Sequence, residues 1–138
     1  MKMSLYERSE CFRAFLLLIG KDKSISPEER LLLLAIGKKL DFESRFCETS
    51  INDLLENQYI SHEAPLFSRK DFAESFLLDA IGIALADNQL HPKELDWLTA
   101  IAAKNNIDMS WLQRMIEESQ KKSHSGFTAE ILSIDRFL

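Results

Sequence analysis

Carboxylates recur at two places in this chain where a short loop gives way to an apolar run. Asp22, Glu28 and Glu29 form one group, and Asp87, Glu94 and Asp96 form the other. Hard cations such as Ca²⁺ or Mg²⁺ need clustered oxygen ligands, and loop carboxylates ahead of a helix can supply them. Asp22, Glu29, Asp87 and Glu94 are therefore the candidate metal ligands, for a divalent cation. The same residues also suit a plain helix start. Asp at the head of a loop forms an Asx-turn, and Glu at the third helical position completes a capping box and favours the helix dipole. The spacing favours capping over metal binding and leaves both readings open. An EF-hand is excluded: counting from Asp87, the sixth position is Pro92 and the twelfth Leu98, and from Asp22 they are Pro27 and Leu33. That loop needs Gly and a bidentate Glu there.

Asp79 is the other unusual carboxylate, set inside Phe76-Leu77-Leu78-Asp79-Ala80-Ile81. Such a residue more often marks the solvent stripe of a helix; buried, it would carry a raised pKa and could be functional. The histidines add little. His62-Glu63 lacks a second His at helical spacing, His91 reads as a helix-start residue, and His124 lies in a polar stretch. Cys11 and Cys47 are far apart, flanked by Phe12 and Phe46, and read as small buried hydrophobes of a reducing compartment. No nucleophile–base pairing and no glycine-rich phosphate loop can be nominated, so no catalytic residue and no enzymatic activity is assigned. Phe67, Phe72, Phe76, Trp97, Trp111, Phe127 and Phe137 sit mostly at core spacing. Trp97 and the terminal Phe137-Leu138 could instead be exposed anchors for a protein partner.

The elements that position these residues are helical. Apolar periodicity predicts helices over about Ser4 to Ile19, Pro27 to Leu40, Phe42 to Asn57, Ser68 to Ala86, 92 to 105 and 109 to 122, with a short last one from Thr128 to Phe137. Ser26-Pro27-x-Glu29 is a clear start signal, Asp41 and Asp108 are further caps, and Ser68 with Asp71 forms another capping pattern. The second helix, with Leu31 to Ile36 apolar around most of its circumference, should be central and largely buried. Phe46, Ile51, Leu54 and Leu55 should face inward from the third. The fold expected is all-α, a compact bundle of about six to seven helices, with a loop over about 59–68 joining its halves.

The chain also repeats itself. Shifted by 65 residues, Asp22 to Glu43 aligns without a gap on Asp87 to Asp108, and seven of 22 positions are identical. These are Asp22/Asp87, Pro27/Pro92, Glu29/Glu94, Leu33/Leu98, Ala35/Ala100, Ile36/Ile101 and Lys39/Lys104. Ordinary residue usage would give roughly one or two. The common unit is an apolar helix, D-x-x-[IL]-[SH]-P-x-E, and a second apolar helix. One domain over 1–138 is expected, with pseudo-symmetric helix–loop–helix repeats over about 4–58 and 69–122 and a tail over 123–138. Each unit alone would leave a wide apolar face open, so the two must share a core.

This doubled acidic-loop unit resembles the tellurite-resistance TerB-like family, and is similar to the N-terminal domain of some membrane-anchored J-domain co-chaperones. The resemblance implies an all-helical domain whose acidic loop residues are associated with divalent metal, here Asp22, Glu29, Asp87 and Glu94. It also implies a setting in tellurite and other stress responses, often near the membrane, which leaves peripheral membrane association open. The family commonly has Gly straight after the Asp, where Lys23 and Asn88 stand in this chain.

Bulk properties narrow the function classes. At 138 residues, 46% hydrophobic and 28% charged, the chain can bury a core without disulfides. A net charge of -5 argues against general nucleic-acid binding, which needs a basic footprint. The run Phe76 to Ala86 is too short and too interrupted to span a bilayer, and the N-terminus lacks the order of a signal peptide. A cytoplasmic location follows as an expectation. The expected function is a non-enzymatic TerB-like interaction or sensing module with a protein partner. The alternative is a divalent-metal-binding stress protein that uses the two acidic loops.

Overall fold

A computed structural model describes residues 1–56, 60–87, 89–122 and 129–138. These form α1 (Leu5–Ile19), α2 (Pro27–Lys39), α3 (Ser44–Leu55), α4 (Lys70–Ala84), α5 (Pro92–Lys104), α6 (Met109–Gln120) and a closing 3₁₀ turn, Ser133–Phe137. The fold is all-α, and no strand occurs among the described residues. The bounds of α4, α5 and α6 each fall 65 residues after those of α1, α2 and α3.

Local chemistry explains where the helices begin. Ser4 and Ser26 accept the backbone N–H of Glu7 and Glu29, and each Glu accepts the N–H of its serine in return. Asp108 accepts the Ser110 N–H at the start of α6. The turns that leave α2 and α5 each carry a residue in the left-handed region, Asp41 (φ 70°) and Asn106 (φ 55°). Asn and Asp tolerate this conformation better than other non-glycine residues do.

Burial decides how the helices are placed. α1 buries Cys11, Phe12 and the run Ala14 to Ile19, and α4 buries most of Phe72 to Ala84. The two pack on each other, with Phe15 and Phe76 rings 4.5 Å apart between centroids. α2 lies against α1 and α3, while α5, α6 and the 3₁₀ turn all lie against α4. Three polar residues fasten the segment between the halves over this core. Glu7 Oε2 accepts from Ser68 N and Oγ, both at 2.8 Å. Arg13 donates to the carbonyls of Ser61 and Glu63, and Asn105 binds the Pro65 carbonyl and the Phe67 N–H.

Several sequence expectations need correction. α2 is peripheral, not central: only Leu33, Ile36 and Gly37 are buried, and Leu31 is 67% exposed. Its apolar circumference exceeds the surface that α1 and α3 cover. Phe46 is 48% exposed, although it stacks on Phe42 at 5.1 Å and lies 6.1 Å from Phe12. Asp41 does not cap α3; Glu43 holds that position without a side-chain bond. Ser68 does not cap α4: Arg69 holds that position without a side-chain bond, and the Ser68 amide and hydroxyl both donate to Glu7. Trp97 and Phe137 are core residues and not exposed anchors. The Trp97 indole donates to the Ala14 carbonyl at 3.1 Å, and Phe137 packs edge-on against Phe72. Cys11 and Cys47 are buried free thiols, as expected. His124, Phe127 and Thr128 lie outside the described residues.

Gly37 marks the tightest approach of α2 to its neighbours, because a Cβ there would overlap Cys47 Sγ and press on the Phe12 ring. Gly37→Ala should lower stability by about 1–3 kcal/mol through overpacking, despite a propensity gain of about 1 kcal/mol. Cys47→Ala should recover part of that loss in the double variant. Denaturant unfolding of the three variants checks both expectations.

Candidate functional site

The two acidic loops follow α1 and α4, the pair that forms the core, and both open onto the same cleft. It encloses about 550 Å³ and is lined by Asp22, Glu29, Asp87 and Glu94 together with Lys21, His91 and Lys93. The four residues nominated from the sequence thus meet at one site. Glu28 and Asp96 do not line it; Asp96 faces a neighbouring hollow with His62 and Trp97.

Each of the four carboxylates is partly committed to local structure. Asp22 Oδ1 accepts the Ser24 N–H and Asp87 Oδ1 accepts the Gln89 N–H, both at 3.0 Å, closing matching Asx-turns. Glu29 Oε1 accepts the Ser26 N–H at 2.9 Å and Glu94 Oε1 accepts the His91 N–H at 3.0 Å. His91 Nε2 also stands 3.2 Å from Asp87 Oδ2, tying the second loop across its own turn. The capping roles are therefore real. Among the described residues, the second oxygens of Asp22, Glu29 and Glu94 have no hydrogen bond within the protein.

Electrostatics couples the two loops. Burial pushes the Glu94 carboxyl above its usual range, the bond from the His91 N–H pulls it back, and the charges of Asp87 and Glu29 push it up again. Glu29 lies on the opposite loop, so the carboxylates sense one another across the cleft. Two cations, Lys21 and Lys93, line the same cleft. Lys21 sits with its Nζ 4.1 Å above the Trp97 ring, and burial lowers its pKa while Asp96 opposes the shift. Among the described residues, no three His, Cys, Asp or Glu side chains come together closely enough to hold a metal ion. Lys23, where the TerB-like pattern commonly has Gly, adopts φ 63°, a left-handed conformation that glycine accepts without steric cost.

Asp79 belongs to a second place in the fold. It is only 5% exposed, which corrects the expectation of a solvent stripe. Its Oδ1 accepts the Ser133 N–H at 2.7 Å and its Oδ2 the Ile134 N–H at 3.0 Å, so it holds the start of the 3₁₀ turn. Sequence patterning could not reveal this, because the partners lie more than fifty residues away. Lys21 and Lys93 were missed as cleft residues as well; their only signal was adjacency to Asp22 and Glu94.

No protein-family model, curated protein or solved structure matches the chain.

Cap and charge can be separated at Glu94. Gln retains the acceptor oxygen that completes a capping box, whereas Ala removes it. A raised carboxyl pKa means that the ionised form costs stability in the folded protein at neutral pH. That cost disappears as the pH falls through the folded pKa toward the unfolded value. Glu94→Gln should melt at or above the wild-type temperature at pH 7, and the difference should shrink toward pH 4. Glu94→Ala should melt lower, and thermal unfolding across this pH range checks the order.

Proposed function

We propose that the chain is a non-enzymatic binding module of TerB-like type, and that the cleft between its acidic loops receives a cationic group of a protein partner. The observation that carries this reading is the convergence of Asp22, Glu29, Asp87 and Glu94 on one cleft of about 550 Å³. Local structure uses one oxygen each of Asp22, Glu29 and Glu94 and leaves the second without a protein donor among the described residues. A lysine ammonium or arginine guanidinium satisfies such acceptors with charge-assisted hydrogen bonds. Lys21 and Lys93 on the rim would restrict the approach of a cation and so add selectivity. The stress-response setting implied by the resemblance gives such a module a place to act.

The second reading is a divalent-cation site formed by the same loops, favoured by the oxygen-only donor set. The absence of a three-ligand cluster among the described residues makes it the weaker of the two. Mg²⁺ or Ca²⁺ would need the loops to draw together on binding.

A lysine-rich peptide, a neutral peptide of the same length, and Ca²⁺, Mg²⁺, Mn²⁺ and Zn²⁺ should each be titrated into the full chain and followed by NMR and thermal melting. The binding-module reading expects the basic peptide to shift the Ser24, Gln89 and His91 amides, with the effect lost in Glu29→Gln/Glu94→Gln and weakened by salt. A rise in melting temperature with a metal alone, abolished by Asp22→Ala/Asp87→Ala, would favour the cation site instead. Shifts spread over the whole surface, or unchanged in the Gln variant, would contradict the proposed cleft.

A further inference from the structure

α2 buries Leu33, Ile36 and Gly37 against its neighbours α1 and α3. On the opposite side of the helix Glu28, Leu31, Ala35 and Lys38 are all exposed. Their spacing of three, four and three residues is that of a seam between paired helices, and it sets the four side chains in one stripe. None of them except Ala35 and Lys38 lines a hollow: beside these two lies a shallow one of about 510 Å³, completed by Lys39, Ala129 and Glu130. The stripe does not reach the acidic cleft. Neither Glu28 nor Lys38 forms a salt bridge among the described residues.

α5, which begins and ends 65 residues after α2, provides a comparison. Its exposed stripe at the matching positions holds Lys93, Asp96, Ala100 and Ala103. Asp96 stands where Leu31 stands in α2, so this face of the helix accepts a charged residue in contact with water. In α2 the same place carries one of the most exposed large apolar side chains of the molecule.

The α2 stripe is complementary to itself when it is reversed. A two-fold axis midway between Leu31 and Ala35 sets Leu31 of one copy opposite Ala35 of the other, and Glu28 opposite Lys38, each pair occurring twice. Leu31 then meets a small residue and the hollow beside it, acid meets base, and the two helix dipoles oppose each other. A parallel pairing would set leucine on leucine, Glu28 on Glu28 and Lys38 on Lys38. We propose that this stripe is a docking surface for a second copy of the chain, bound antiparallel across a two-fold axis. Burial of the two leucines supplies the affinity, and the charge pairs fix the direction. A helix of 13 residues is only about 20 Å long, so the contact lies at the small end of specific interfaces and the dimer is a reversible one.

Sedimentation equilibrium of the full chain from about 5 to 500 µM reads this association. A monomer–dimer equilibrium is expected. Leu31→Asp, which copies the residue of α5, should raise the dimer dissociation constant about a hundredfold or more, because the change occurs twice. Glu28→Lys and Lys38→Glu should each weaken self-association by about three- to tenfold. Mixed in equal amounts, at a concentration where each alone is mostly monomeric, these two variants should form heterodimers, since acid then faces base at both ends. All three positions are exposed, and circular dichroism checks that the variants remain helical. A chain that is monomeric at every concentration would overturn the proposal and leave the stripe to a different partner. A dimer that Leu31→Asp leaves intact, or charge variants that fail to associate on mixing, would overturn it as well; the mixing result stands even if Leu31→Asp does not fold.

Discussion

α1 and α4 bury the larger part of their length, and the rest of the structure depends on their covering each other. Burying one Phe or Leu side chain contributes about 1.5–3 kcal/mol, while a helix cap contributes about 1 and an exposed ion pair 0–1. The Phe15–Phe76 contact and the run Ala14 to Ile19 therefore outweigh every local device in the molecule. Caps set where the helices start; apolar burial sets where they lie. α2 and α5, α3 and α6 occupy the apolar surface that the central pair leaves uncovered.

The cleft is a consequence of that pairing. Because the acidic loops are the continuations of α1 and α4, pressing these helices together brings two sets of capping carboxylates to one opening. A capping Glu uses one oxygen for the helix and has a second to spare, so structural residues become a charged surface without any added ligand. The cost is mutual repulsion, visible as the upward push on Glu94 from Asp87 and Glu29. At the tail, Asp79 is buried, and the Ser133 and Ile134 amides donate to its carboxylate.

The sequence was most legible where the physics is local. Six helices, the Ser26–Glu29 box, the Asp108 cap and the helical class follow from spacing alone, and the bounds of the helices keep the 65-residue offset seen in the residues. It misled where the answer depends on which neighbour is present. The leucines of α2 look central because nothing in their spacing says that only one side is covered. Ser68 looks like a cap, yet its amide and hydroxyl donate to Glu7, sixty-one residues earlier, and Arg69 holds the cap position. At the candidate site the four carboxylates were readable one loop at a time. Their convergence was not, since it depends on the packing of α1 against α4.

That convergence is tested most directly by carbon-13 titration of the Glu94 carboxyl in the wild type and in Glu29→Gln. Removing a charge on the first loop should lower the Glu94 pKa toward its ordinary value, because Glu29 contributes to holding it up across the cleft. A Glu94 titration that is identical in the two proteins would contradict a shared cleft and return the two loops to separate, purely capping roles.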